Sequence, residues 1–188
     1  MQYIIEKYIH HDEVYKACSP KEVRGWFKYW KDELFHSENK AIKKYRRKTW
    51  LGNNINAKLR NGENPLDAEI ISEALHKATV PHNIIVFRRL DKRENKIVSE
   101  LDINDRYCCK DFKGTHVGEK IINFWKSGGY MFVLIPRGTN GAYINNFTLC
   151  YWWEKEFLID KGQCFVLLEK GQIFGKDSYI FKLINKDS

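Results

Sequence analysis

The chain has no apolar run long enough to cross a membrane. Its first residues, Met1 to His11, alternate apolar and charged groups and so lack the continuous apolar stretch of a secretory signal. Two locations are left, the cytoplasm or export by a route that needs no classical signal peptide. Cysteine is present but without pattern. Cys18, Cys108, Cys109, Cys150 and Cys164 make an odd count, no CxxC occurs, and two of them are adjacent. That argues against a disulfide framework or a zinc cage and for reduced, buried thiols. His10-His11-Asp12 has no second cluster to complete a metal site, so no metal is expected. Internal repeats, low-complexity tracts and linkers are also missing, and residues 1–188 read as a single domain.

What is present suits a folded protein. Hydrophobic residues make up 43% of the chain and aromatics 14%, enough to build a core and to exclude global disorder. The 32 basic against 24 acidic residues leave +8, a moderate positive field that fits an anionic cofactor or partner. The first eighty residues read as mainly helical. Ser19-Pro20-Lys21-Glu22 is a capping box with proline at the first helical position. It opens a helix whose face carries Trp26, Phe27, Trp30 and Leu34. Ser37 to Trp50 and Asn53 to Arg60 read as further helices. Asn64-Pro65-Leu66-Asp67 starts another, through roughly Lys77, with Ile70, Ile71, Ala74 and Leu75 inward.

From residue 81 onward the pattern becomes mainly β. Ile84 to Phe87, Met131 to Ile135, Glu156 to Ile159, Cys164 to Leu168 and Tyr179 to Ile184 are short apolar runs rich in β-branched and aromatic residues. Turns are expected at Gly128-Gly129, Asn140-Gly141, Lys161-Gly162 and Lys170-Gly171, and one helix over Gly118 to Lys126. Helices first and strands later define an α+β fold with an N-terminal helical layer.

Three features recur in an order that suits chemistry. Arg88 ends the first strand. A second strand runs into Pro136-Arg137-Gly138-Thr139-Asn140-Gly141. Then Tyr151-Trp152-Trp153 meets Glu154-Lys155-Glu156 at the start of another strand. Alternate strand positions share a face, which would project Glu154 and Glu156 together and Lys155 away. An arginine fork suits a diphosphate. One carboxylate can hold a ribose hydroxyl and stabilise positive charge on the sugar, while a second orients an incoming nucleophile. By themselves, an acidic pair is commonly a solvated strand face and a strand-end arginine commonly a surface charge.

The order of four blocks resembles the arginine–serine–glutamate class of ADP-ribosyltransferase toxins, particularly the catalytic components of clostridial binary toxins and related exoenzymes. The likeness runs from about Glu38 to Leu168. Tyr45 with Ile55-Asn56-Ala57-Lys58-Leu59-Arg60 is similar to the family's helical lead-in. Asn83 to Arg89 resembles its strand ending in an aromatic and an NAD-binding arginine. Pro136-Arg137-Gly138-Thr139 with Gly141-Ala142-Tyr143-Ile144 is close to "PKGT.GAY". Glu154-Lys155-Glu156-Phe157-Leu158 resembles the "E.E.L" signature. One block departs. The family's F-x-S-T-S strand corresponds to Phe112-Lys113-Gly114-Thr115-His116, with Gly114 and His116 in place of the serines.

The resemblance implies an ADP-ribosyltransferase-like split β-sandwich and a mono-ADP-ribosyltransferase that uses NAD+ as substrate and releases nicotinamide. Glu156 would be the catalytic glutamate on the nicotinamide ribose, and Glu154 would orient the acceptor, an arginine of a target protein. Arg88 would hold NAD, and Arg89 would either assist or be a surface charge. Thr115 and His116 would line the pocket, with a partly exposed loop position the plainer reading of His116. Tyr45 and Asn56 would close over the nicotinamide, although Tyr45 also fits a core position. Trp152 and Trp153 would serve target recognition, one buried and one facing the partner. The protein would be cytoplasmic or delivered to a target cell. Six basic residues between Lys40 and Lys48 read as a solvated helix face. A nucleic-acid stripe is the alternative, which would make a base the acceptor. A degenerate site acting only as an interaction module is the third reading, and Gly114 is the residue that favours it.

Overall fold

The structure, a computed structural model, describes residues 14–47, 55–118, 128–147 and 155–184. The helix expected over Gly118 to Lys126 falls on residues 119–127, outside the described residues.

The N-terminal layer forms where its caps and apolar faces place it. Helix α1 (Pro20–Trp26) begins as the capping box requires, with Ser19 Oγ accepting from the amide of Glu22 at 3.2 Å. The continuous helix expected through Leu34 is instead broken at Phe27 (φ −104°, ψ 17°), and α2 (Lys28–Glu33) follows. The break lets Phe27, Trp30 and Leu34 all be buried, while Trp26 stays half-buried and packs edge-on against His82. Trp30 Nε1 donates to the carbonyl of Ala74 at 2.8 Å, which satisfies the indole inside the core. Helices α3 (His36–Arg46), α4 (Ile55–Arg60) and α5 (Leu66–His76) complete the layer. Ile71, Ala74 and Leu75 face inward as expected, and Ile70 is half-buried. Among the described residues no helix is long and apolar enough to cross a membrane.

Eight strands form the sheet: β1 (Ile84–Leu90), β2 (Arg106–Cys108), β3 (Lys113–His116), β4 (Gly129–Ile135), β5 (Gly141–Tyr143), β6 (Glu156–Ile159), β7 (Cys164–Ile173) and β8 (Lys176–Ile184). Their order is β2-β7-β8-β4-β1-β3-β6-β5. Both faces are covered along β4 and along Ile84 to Phe87 of β1, so these stretches are apolar. Val86, Met131, Val133 and Phe181 pack into the main core on one face, and Ile85, Phe87, Tyr130 and Phe132 pack with Tyr15 on the other. The sheet narrows between β1 and β3, which meet in register only at Phe87 and His116. A short arm of β3, β6 and β5 thus diverges from a longer arm ending at β1, giving the split arrangement of an α+β fold.

Several local expectations need correction. Gly171 lies inside β7, and the reversal falls at Phe174-Gly175, both with positive φ (53° and 69°), as a two-residue hairpin turn favours. The turn placed at Asn140-Gly141 lies at Arg137-Gly138, where Gly138 has φ 85°. Gly141 belongs to β5, and a Cβ there would sit 2.9 Å from the carbonyl of Leu158. Helix α6 (Lys92–Ser99) was not anticipated, although Asp91 Oδ1 caps it by accepting from the amide of Glu94 at 2.8 Å. The cysteine reading also fails in part. Cys108 and Cys164 lie directly opposite each other on β2 and β7, Cα atoms 4.0 Å apart, and form a disulfide. Cys18 and Cys109 are buried thiols outside any disulfide, as expected. Pairing across a sheet brings together residues whose sequence spacing carries no motif.

Candidate active site

The site is built where β1, β3 and β6 adjoin. Alternation along β1 puts Arg88 on the same face as Val86, turned toward β3. Its Nη1 donates to the carbonyl of Gly114 at 2.9 Å, and its Nε and Nη2 donate to Glu94 Oε2 at 3.1 and 3.0 Å. Glu94 is nearly buried and also accepts from Lys113 Nζ at 2.8 Å through its other oxygen. Asp111 continues the chain of charges, 3.5 Å from Lys113 and 2.5 Å from Arg60. Burial alone would raise the Glu94 carboxyl, but the charges of Arg88 and Lys113 outweigh it and hold the group below the usual carboxylate range. Burial likewise opposes the Arg88 charge, and Glu94 more than offsets it. The guanidinium is therefore fixed in place and stays charged.

Glu156 opens β6, directly opposite His116 on β3. Gly114 lies two positions further along β3 on the same face. A Cβ built on Gly114 would fall 2.6 Å from Glu156 Oε1, so the carboxylate lies over the bare glycine. Arg88 thus holds the carbonyl of the same residue over which Glu156 lies. The cation and the acid come together at Gly114.

Helix α3 closes this spot. Arg46, fully buried, places Nε 3.5 Å from Glu156 Oε2 and donates from Nη1 and Nη2 to the carbonyl and Oδ1 of Asn145, both at 2.9 Å. Next to it, the Tyr45 hydroxyl accepts from Asn56 Nδ2 at 3.2 Å. Asn56 also brackets the backbone of Phe112, donating to its carbonyl at 3.1 Å and accepting from its amide at 3.2 Å. Burial pushes the Tyr45 phenol up, and the nearby Glu156 charge pushes it further, against the opposing effects of Asn56 and Arg88. Tyr45 thus lies within electrostatic reach of both the acid and the guanidinium. An anionic, sugar-bearing ligand needs this set: a fixed planar cation, an acid close by, and polar groups above them.

A family model described as "ADP-ribosyltransferase exoenzyme" matches residues 24–178. The chain belongs to the ADP-ribosyltransferase exoenzyme family. Membership places it among the NAD-dependent ADP-ribosyltransferases. Three solved structures show the same fold. Plx2a, an ADP-ribosyltransferase toxin from Paenibacillus larvae, superposes with a TM-score of 0.75 at 16% identity, over 88% of this chain and 94% of its own. The Clostridium limosum C3 exoenzyme gives 0.75 at 20%, over 91% and 98%. BECa, the ADP-ribosylating toxin of a C. perfringens binary enterotoxin, solved with NADH, gives 0.71 at 23%, over 87% of this chain and 47% of that one. No curated protein sequence matches.

Within the exoenzyme fold the expected site residues are not all brought together. Arg88, Glu156, Tyr45 and Asn56 meet around Gly114. Arg89 points to the opposite face of β1 and is exposed. Thr115, expected to line the pocket, is fully buried on the other face of β3, with Oγ1 donating to the carbonyl of Phe157 at 2.9 Å. Its place in the strand decides this, because only positions 114 and 116 share the face of Glu156. His116 is half-buried in the strand rather than in a loop, with its ring 5.4 Å from that of Phe87. Glu154, Trp152 and Trp153 lie outside the described residues. Lys155, with φ 46°, precedes the strand, which begins at Glu156.

Arg46, Glu94 and Lys113 were missed. Arg46 was hidden in the basic run, where Lys40, Lys43, Lys44 and Arg47 are indeed exposed. Helical spacing held the signal, since Glu38, Ile42 and Arg46 fall four apart on the buried face of α3. Glu94 could have been found from the Asp91-x-x-Glu94 cap.

Proposed function

We propose that the chain transfers ADP-ribose from NAD+ to an arginine of a target protein and releases nicotinamide. The observation that supports this reading is the meeting of Arg88 and Glu156 at Gly114. Three of the five N–H bonds of Arg88 are engaged with Glu94 and Gly114, which fixes the plane of the fork. The rest of the partly exposed guanidinium is placed for an NAD phosphate or the adjoining ribose. The bond between ribose C1′ and the nicotinamide nitrogen breaks, and its electron pair leaves with nicotinamide. The Glu156 carboxylate stabilises the positive charge that develops on the sugar. A nitrogen of the acceptor arginine then bonds to C1′, and its proton passes to Glu154. Tyr45 and Asn56 close over the nicotinamide side, and Trp152 and Trp153 meet the target. The protein acts as an effector delivered to the cell that holds this target.

The test is labelling of a cell lysate with tagged NAD+ by wild type and Glu156→Gln. The reading expects protease-sensitive label that maps to arginine side chains with wild type and is lost with Glu156→Gln. Nuclease-sensitive label would move the acceptor to a nucleic-acid base. A lysate without label, together with no release of nicotinamide, would end the enzyme reading in favour of an interaction module.

A further inference from the structure

Arg88 and Glu94 do not pair fork to fork. A guanidinium and a carboxylate commonly meet through two parallel bonds, each N–H taking its own oxygen. Here Nε and Nη2 of Arg88 both donate to a single oxygen, Glu94 Oε2, at 3.1 and 3.0 Å. The other oxygen is taken by a second cation. Lys113 Nζ donates to Oε1 at 2.8 Å, closer than either nitrogen of Arg88 comes to Oε2. Glu94 is thus divided between two side chains, one oxygen for each.

Lys113 stands at a position where a lysine is costly. Alternation along β3 gives it the same face as Thr115, and its side chain is only 6% exposed. Lysine is rarely buried unless paired, and burying the ammonium costs several kcal/mol unless charges offset it. Two carboxylates do so, Glu94 at 2.8 Å and Asp111 at 3.5 Å, and the Tyr107 hydroxyl accepts at 3.4 Å. Asp111 is in turn held by Arg60 at the end of α4. The ammonium is therefore held at three points, one of which is the carboxylate that grips Arg88.

The consequence for Arg88 lies in how Glu94 would behave without it. A carboxylate released from Lys113 can give each N–H of the guanidinium its own oxygen, which tightens the internal pair and draws the positive charge inward. A cation engaged in that way offers less to a phosphate. We propose that Lys113 is a positioning residue for NAD+ binding, which limits Glu94 to a one-oxygen grip on Arg88 and so keeps the guanidinium directed to the dinucleotide. Lys113, being buried, acts through Glu94 and not on the ligand. This inference rests on the transferase reading above and adds to it what sets the strength of the NAD+-binding cation.

The test measures NAD+ affinity by equilibrium titration, steady-state release of nicotinamide and thermal unfolding on the same samples of wild type, Lys113→Met, Glu94→Gln and the double variant. Losing one charge-assisted hydrogen bond to a bound phosphate weakens binding by about tenfold. Lys113→Met is therefore expected to raise both Kd and KM for NAD+ by about tenfold, with kcat changed by less than about threefold. In the Glu94→Gln background the same substitution should change Kd by less than about threefold, because the carboxylate through which it acts is gone. A merely structural Lys113 would lower the unfolding temperature and leave the Kd of the folded protein unchanged, which overturns the proposal. So would an equal loss of affinity in both backgrounds, which would make Lys113 a remote positive charge and no more. Should Lys113→Met not fold, Lys113→Gln replaces it in both backgrounds, and a wild-type Kd for that variant overturns the proposal. Wild type that neither binds NAD+ nor releases nicotinamide overturns the transferase reading and this inference together, whereas active wild type with an equally tight Lys113→Met overturns this inference only.

Discussion

Arg88 and Glu156 lie on either side of Gly114, yet the protein holds them by opposite means. Arg88 is fixed through three N–H donations and sits in a line of buried charges that runs through Glu94 and Lys113 to Asp111. Glu156, at the start of its strand, has a long charge contact to Arg46 on one oxygen and a bare glycine under the other. The cationic end is part of the fold, and a change there disturbs folding as well as binding. The acidic end lies partly exposed at the start of β6, where a ligand can reach it. A phosphate-binding group gains from being rigid, whereas an acid that stabilises a transient charge gains from lying open to the ligand.

The largest effect expected on stability is at the cationic end. Glu94→Gln leaves Arg88 and the buried Lys113 without their shared carboxylate and should cost about 3–5 kcal/mol in urea unfolding. The pH dependence gives the same contrast. Because the folded Glu94 carboxyl lies below its ordinary 4.5, its contribution is fully present above that value and is lost as pH falls through the lower folded value. Thermal unfolding of wild type should therefore weaken on the acid side, and Glu94→Gln should flatten that limb. If the two proteins showed parallel acid limbs, the cationic end would not be held by Glu94.

Away from the site, Cys108→Ser removes a link between residues 56 apart in sequence and should cost about 2–4 kcal/mol, while KM for NAD+ moves less than in Glu94→Gln. Comparable changes in KM would show that the distant arm and the site are not separable. Arg88→Lys is the mildest of the three. It keeps the charge but loses the planar fork, and should raise KM for NAD+ by about tenfold, worth roughly 1.4 kcal/mol, with a smaller loss of stability. An unchanged KM would take Arg88 out of the binding role.

The same contrast describes what could be read from the sequence. The cation and its strand were legible because β1 is a continuous apolar run ending at Arg88, and a strand covered on both faces leaves that signature. Glu156 was legible as the first residue of a run that forms β6 with the expected bounds. The means of holding them was not. Arg46 looked like one more charge in a solvated run, and only its four-residue spacing from Ile42 and Glu38 set it apart. Thr115 was assigned to the site by its place in a motif, whereas strand alternation turns it into the core. The disulfide between Cys108 and Cys164 arises from register between β2 and β7, which no local pattern encodes. Lys155 has a positive φ and precedes β6, so the strand rule starts at Glu156.

The measurement that bears most directly on the whole account is nicotinamide release from NAD+ by wild type and Glu156→Gln, with NAD+ affinity determined on the same samples. Arg88 binding and Glu156 turning over one dinucleotide predict near wild-type affinity in the variant and a release rate lower by about a hundredfold or more. Equal release rates in the two proteins would contradict it.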